Sequence, residues 1–124
     1  MYIYKTAVVG AGAMGAEIAQ TISFSGIPVL LKDVDQARVD HGLEVIRKIY
    51  QRRVDRGKMT QDELEKKLTL VTGVTSFDGF NEVDLVIEAV PEKLDLKRQV
   101  FAELDRTVPD SAMLASNTSS LSIS

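Results

Sequence analysis

Glycines at positions 10, 12 and 15 set the terms on which this chain can fold. They end the apolar run Val8-Val9 and are followed by Ala16-Glu17-Ile18-Ala19-Gln20, so an extended segment must turn into a helix within a few residues. Each glycine has its own task in such a turn. Gly10 lets the chain bend sharply out of a strand, Gly12 leaves the backbone bare, and Gly15 lets the helix pack close to the sheet. Backbone N–H groups and the positive end of the helix dipole then favour an anion at the helix start. Gly10, Ala11, Gly12, Ala13, Met14 and Gly15 are therefore candidate ligands of a dinucleotide pyrophosphate.

Glycines at this spacing also occur in ordinary loops, so flanking sequence decides the reading. Residues 3–9 read as a strand, and residues 13–25 as a helix in which Met14, Ile18, Ile22 and Phe24 recur near helical spacing. Residues 28–33 read as a second strand that ends in Asp33, 18 positions after Gly15. A carboxylate there accepts hydrogen bonds from both hydroxyls of an adenosine ribose and repels a 2′-phosphate, which points to NAD over NADP. Lys32 and Arg38 are the nearby cations that would meet a 2′-phosphate instead. Asp33 also has a plainer reading as the N-cap of the next helix, a role open equally to Asp35.

A chain of 124 residues, 44% hydrophobic and 27% charged, suits one globular α/β domain. Its net charge of −3 gives no electrostatic reason to expect nucleic acid or an anionic membrane. Without cysteine there is no disulfide and no thiolate metal site, and no metal is expected. No run approaches the roughly 20 apolar residues of a membrane helix, and no basic segment precedes a signal-type apolar core. The expected location is the cytoplasm.

Residues 36–56 read as a helix with Val39, Leu43, Ile46, Ile49 and Tyr50 on one face. Its C-terminal half carries Arg47, Lys48, Arg52, Arg53 and Arg56. That basic end suits the helix dipole as a solvated terminus, and equally suits the phosphates of a large anionic substrate. Gly57 ends this helix, and Thr60 followed three residues later by Glu63 starts another with a capping box. Residues 68–72 read as the third strand, 76–81 as a loop with a short turn, 83–90 as a buried parallel strand, 92–106 as a helix and 112–116 as a fifth strand. The fold expected is a Rossmann-type doubly wound parallel sheet with a helix-turn-helix excursion after the second strand. In such sheets ligands lie beyond the carboxyl ends of the strands, where residues 10–15, Asp33, 89–92 and 117–119 converge.

With these stretches in place, the chain resembles the NAD-binding domain of the 3-hydroxyacyl-CoA dehydrogenases. The matching segments are Gly10-Ala-Gly-Ala-Met-Gly15, Lys32-Asp33, Glu88-Ala-Val-Pro-Glu92 with Lys97, and Ala115-Ser-Asn-Thr-Ser-Ser-Leu121. The Ser-Asn-Thr-Ser-Ser-Leu segment is far more specific than the glycine loop. The stretch 26–33 and Arg56-Gly-Lys58 look closer to the dehydrogenase part of multifunctional fatty-acid oxidation proteins. The resemblance implies hydride transfer between an (S)-3-hydroxyacyl-CoA and NAD in β-oxidation. It implies that Asp33 holds the adenosine ribose, that Glu92 and Lys97 lie along the cofactor, and that Asn117 and Ser119 stand near the nicotinamide and the substrate's 3-oxygen. Arg53 becomes the best candidate for a coenzyme A phosphate, although Ile46 stands where some relatives have an assisting serine.

Relatives use a histidine oriented by a glutamate, both in sequence beyond the Asn-Thr-Ser-Ser segment. His41, early in the second helix, reads as a surface residue and not as that base. The expectation is a cofactor domain over residues 1–124, truncated before the last strand and without the C-terminal helical domain. It would bind NAD with little or no dehydrogenase turnover of its own. Uncovered apolar surface would favour self-association into a homo-oligomer. The competing readings are a non-catalytic dinucleotide-binding module and a Rossmann dehydrogenase for small β-hydroxy acids.

Overall fold

Alternation of side chains along the first strand divides the interior into two layers. β1 (Thr6–Val9) sends Val8 into one cluster with Val29, Leu31, Ile46, Tyr50 and Leu64, and Ala7 and Val9 into another with Leu30, Phe80, Val83 and Val86. A strand buried on both faces is the signature of a parallel sheet covered on both sides. The computed structural model describes residues 5–89 and the backbone of the strand at 113–116.

In chain order the further elements are α1 (Ala13–Phe24), β2 (Val29–Lys32), α2 (Gln36–Asp55), α3 (Gln61–Leu68), β3 (Val71–Val74), a short 3-10 helix (Phe80–Glu82), β4 (Leu85–Glu88) and β5 (Met113–Ser116). The strands form one sheet of order β3-β2-β1-β4-β5 with every pairing parallel. Chain direction across the sheet reverses between β1 and β4, which makes the carboxyl end of β1 the switch point. Val9 lies opposite Lys32 on one side and Glu88 on the other, so three strands end level with one another there.

α1 packs on the sheet through small residues. Gly15, Ala16, Ala19 and Ser23 are buried, while Met14 is 55% and Phe24 42% exposed. The larger Met14, Ile18 and Ile22 line a shallow groove with Glu17 and Thr21 on the helix flank. Small side chains let the two backbones approach, and large ones would hold the helix away from the sheet. α2 behaves as its spacing predicts, with Val39, Ile46 and Tyr50 buried, joined by Gly42. Its N-cap is Asp35, whose Oδ1 accepts from the Arg38 N–H at 2.8 Å. Gly57, with φ of 70°, closes its C-terminus.

α3 begins with the expected capping box. Thr60 Oγ1 accepts from the Glu63 N–H, and the Glu63 carboxylate accepts from the Thr60 N–H. The third strand differs from its expected position over 68–72. Once the box nucleates α3, the helix carries through Leu68 and the Thr69 N–H donates to the Glu65 carbonyl, so β3 starts only at Val71. The expected turn within 76–81 is the 3-10 helix, entered through Gly79 with φ of 88°. Phe80 is fully buried and meets Phe77 edge-on at 5.0 Å between ring centres. β2 and β4 start one and two residues inside their expected limits, and the helix expected over 92–106 lies outside the described residues.

Candidate functional site

Gly10 leaves β1 with φ of 111°, a conformation that side chains strongly disfavour, while its N–H still donates to the Lys32 carbonyl at 2.7 Å. The turn is so tight that a β-carbon on Gly15 would overlap the Gly10 carbonyl. Gly12 is different. Its φ of −68° suits any residue, and among the described residues nothing lies within 4 Å of where its β-carbon would be. The space beside Gly12 is thus a cradle that a side chain would fill. Gly12 is also the N-cap of α1, it has no side chain to cap the helix, and the first turn carries no acid. Room and the positive helix end together fit a pyrophosphate.

Asp33 follows β2 and turns its carboxylate onto the loop. Oδ2 accepts from the Ala11 N–H at 2.8 Å and Oδ1 from the Val34 N–H at 2.7 Å. Each oxygen keeps a further lone pair, enough for the two hydroxyls of a ribose. The N-cap alternative for Asp33 falls away, since Asp35 has that task. Lys32 is 8% exposed and holds its ammonium 4.3 Å over the Phe77 ring, on the sheet face away from α1 and α2. Arg38 pairs with Asp35 at 3.4 Å. Both cations that could meet a 2′-phosphate therefore have other partners, and the carboxylate is what faces the loop.

Arg53 sits at the opposite edge of the sheet. α1 runs from the carboxyl end of β1 to the amino end of β2, and Arg53 stacks its guanidinium 4.4 Å over the ring of Phe24, the last residue of α1. The length of α1, about 18 Å, separates it from the glycine loop. Arg53 Nε is buried with no hydrogen-bond acceptor among the described residues, and Lys67 lies near the same ring, 5.7 Å from its centre, with its ammonium donating to the Phe24 carbonyl. His41 is exposed on α2, as expected.

Glu92, Lys97, Asn117 and Ser119 lie outside the described residues. The backbone of β5 ends at Ser116 in register with Glu88, and through it with Val9, so the strand leading to Asn117 ends at the same edge as the glycine loop. Two residues at this edge had no role assigned from the sequence. Glu88 is fully buried at the end of β4, where its run of apolar neighbours hid it as a mere strand residue. Gly42 touches the loop from α2, and a lone glycine inside a helical pattern was its only signal. Among the described residues no cluster of His, Asp or Glu is arranged to hold a metal ion, and no helix is long and apolar enough to cross a membrane.

A parallel sheet with a glycine turn at its switch point, a helix start beside it and a strand-end carboxylate across from it is a Rossmann-type dinucleotide-binding domain. The chain belongs to the family described as 3-hydroxyacyl-CoA dehydrogenase, NAD binding domain, whose model matches residues 5–124. Its cofactor is NAD. It is 40% identical over 121 residues to a peroxisomal fatty acid β-oxidation multifunctional protein of Arabidopsis thaliana, and 40% identical over 121 residues to the fatty acid oxidation complex subunit alpha of Psychrobacter arcticus. These matches cover 98% of the chain but 17% of each relative. The crystal structure of (S)-3-hydroxybutyryl-CoA dehydrogenase from Ralstonia eutropha is similar with a TM-score of 0.92 and 35% identity, over 98% of this chain and 43% of that one.

Proposed function

We propose that residues 1–124 are the cofactor-holding domain of an NAD-dependent 3-hydroxyacyl-CoA dehydrogenase that acts in fatty-acid β-oxidation. The single observation that carries this is the pairing of an open glycine cradle with the Asp33 carboxylate, in a chain whose relatives are named for that chemistry. When bound, NAD supplies the hydride acceptor for C3 of an (S)-3-hydroxyacyl-CoA. The chain's part is to hold and orient. Residues 10–15 carry the pyrophosphate, Asp33 the ribose, and Glu92 and Lys97 lie along the cofactor. Asn117 and Ser119 act at the nicotinamide and the substrate oxygen.

The hydroxyl proton needs a base, which on this reading is a histidine with its glutamate in the parent protein's sequence beyond the Asn-Thr-Ser-Ser segment. Acetoacetyl-CoA reduction by NADH tests this directly. The parent protein is expected to turn over, and the 124-residue chain to bind NADH with little turnover. Robust turnover by the chain alone would sink the assignment of the base.

Arg53 on the same reading meets a phosphate of coenzyme A, supported by Lys67 sharing the Phe24 ring with it, which sets two cations close together. Arg53→Gln in the parent is expected to raise the KM for acetoacetyl-CoA several-fold and leave the NADH affinity as it was. The exposed Met14 and the apolar flank of α1 support self-association, which sedimentation velocity over a wide concentration range checks, with a monomer throughout as the contrary result. A cytoplasmic location belongs to the same reading, against the peroxisomal naming of the plant relative, and imaging of the tagged parent separates the two.

A further inference from the structure

We propose that Gly42 is a positioning residue of the cofactor site, holding the Ala11 peptide between α2 and Asp33 before any nucleotide arrives. Gly42 is the seventh residue of α2, and no cofactor contact is asked of it. A β-carbon there would lie 2.8 Å from the Ala11 carbonyl oxygen, 3.0 Å from the Ala11 β-carbon and 3.0 Å from Leu31 Cδ2. The first of these neighbours is backbone, which cannot swing aside as the tip of a side chain does. Glycine at this position therefore lets α2 bear on the loop itself.

Ala11 is gripped from its other end as well. Its N–H donates to Asp33 Oδ2 at 2.8 Å, and its side chain is 1% exposed in the same core as Leu31 and Ile46. α2 is in turn fixed from behind, because a β-carbon on Gly73 of β3 would overlap Val39 Cγ1 and lie 3.1 Å from Leu43 Cδ1. The succession β3, α2, Ala11, Asp33 is thus close-packed throughout, and close-packed contacts transmit small displacements. Ala11 stands between Gly10, which turns the chain, and Gly12, which leaves the cradle open. A shift of its peptide moves both, and with them the amides that meet the pyrophosphate. Held in advance, those amides lose less freedom on binding.

The proposal rests on the cofactor reading of the glycine loop, and two measurements on the 124-residue chain keep the two separable. The first is amide hydrogen exchange without nucleotide. The Ala11 N–H is expected to be protected already, and to lose that protection in Asp33→Ala. Free exchange at Ala11 in the nucleotide-free chain, with protection only after NADH is added, would overturn the proposal whatever any variant does.

The second is Gly42→Ala, studied by NADH titration and thermal unfolding. Alanine favours helix over glycine, which offsets part of the crowding, so the melting temperature is expected to move little while the NADH Kd rises about tenfold or more. Ala11 protection should fall in the same variant. Unchanged Kd and unchanged Ala11 protection would overturn the proposal. A loss of affinity only in proportion to a loss of folded protein would do the same, since it would mark Gly42 as structural alone. Failure of the unsubstituted chain to bind NADH would overturn the cofactor reading beneath it, while the exchange of Ala11 still decides the grip.

Discussion

The phenol oxygen of Tyr50 on α2 lies 2.6 Å from the hydroxyl oxygen of Ser23 on α1, in the interior between the two helices. Either hydroxyl can donate in that bond, and the Gln20 carbonyl is an acceptor within reach of both, 2.9 Å from the Ser23 oxygen and 3.1 Å from that of Tyr50. Burial, the largest influence, raises the phenol above its ordinary pKa of 10.0, against the hydrogen bonds to Ser23 and Gln20 and the charge of Arg53. A pKa raised on folding means that the contribution is complete below pH 10 and is lost as pH rises through the folded value. Stability is therefore expected to fall on alkaline titration above that point. Tyr50→Phe should cost about 1 kcal/mol at neutral pH and flatten the alkaline decline, as read by urea unfolding at several pH values. A variant that keeps the full decline would assign it to other groups.

Gly12 and Gly15 differ by a testable contrast. Gly15→Ala places a β-carbon into the Gly10 carbonyl and forces α1 off β1, with an expected cost of about 1–3 kcal/mol in urea unfolding. Gly12→Ala meets no atom of the described residues, so stability should stay within about 0.5 kcal/mol. The same β-carbon fills the pyrophosphate cradle, and NADH binding should weaken at least tenfold by the loss of close backbone approach. Equal effects of the two substitutions on stability would contradict the geometry.

Asp33→Ser removes the charge proposed to meet the ribose and loosens the two amides that the carboxylate holds. Charge-assisted hydrogen bonds contribute about 1.5–3 kcal/mol, so the NADH Kd is expected to rise about tenfold or more. NADPH, relieved of repulsion, should gain relative to NADH. Fluorescence titration with both nucleotides reads the change, and an unaltered ratio would remove Asp33 from cofactor choice.

Thr60→Ala breaks the capping box of α3 without touching the cofactor edge. Its expected effect is a loss of about 1 kcal/mol with NADH affinity unchanged. Thermal unfolding and a nucleotide titration on one preparation check both halves.

Local chemistry was what the sequence made readable. The glycine turn, the Thr60–Glu63 box and the strand-end Asp33 each depend on residues near one another in the chain, and each stands where its spacing put it. The packing partners were less visible. Of the apolar residues at helical spacing in α1, Ile18 and Ile22 pack against the core while Met14 and Phe24 stay exposed, and the closest approach to the sheet falls to the small residues Ala16, Ala19 and Ser23. β3 began three residues late because α3, once capped, ran on through Leu68. Gly42 reads in sequence as a weak helix residue, and only its contact with Ala11, 31 positions away, gives it a purpose.

Isothermal titration of the 124-residue chain with NADH and then NADPH tests the central claim most directly. Saturable binding of NADH at one site per chain, with NADPH distinctly weaker, is the result expected from the open cradle at Gly12 and the carboxylate at Asp33. A folded chain that binds neither nucleotide, or that prefers NADPH, would contradict it.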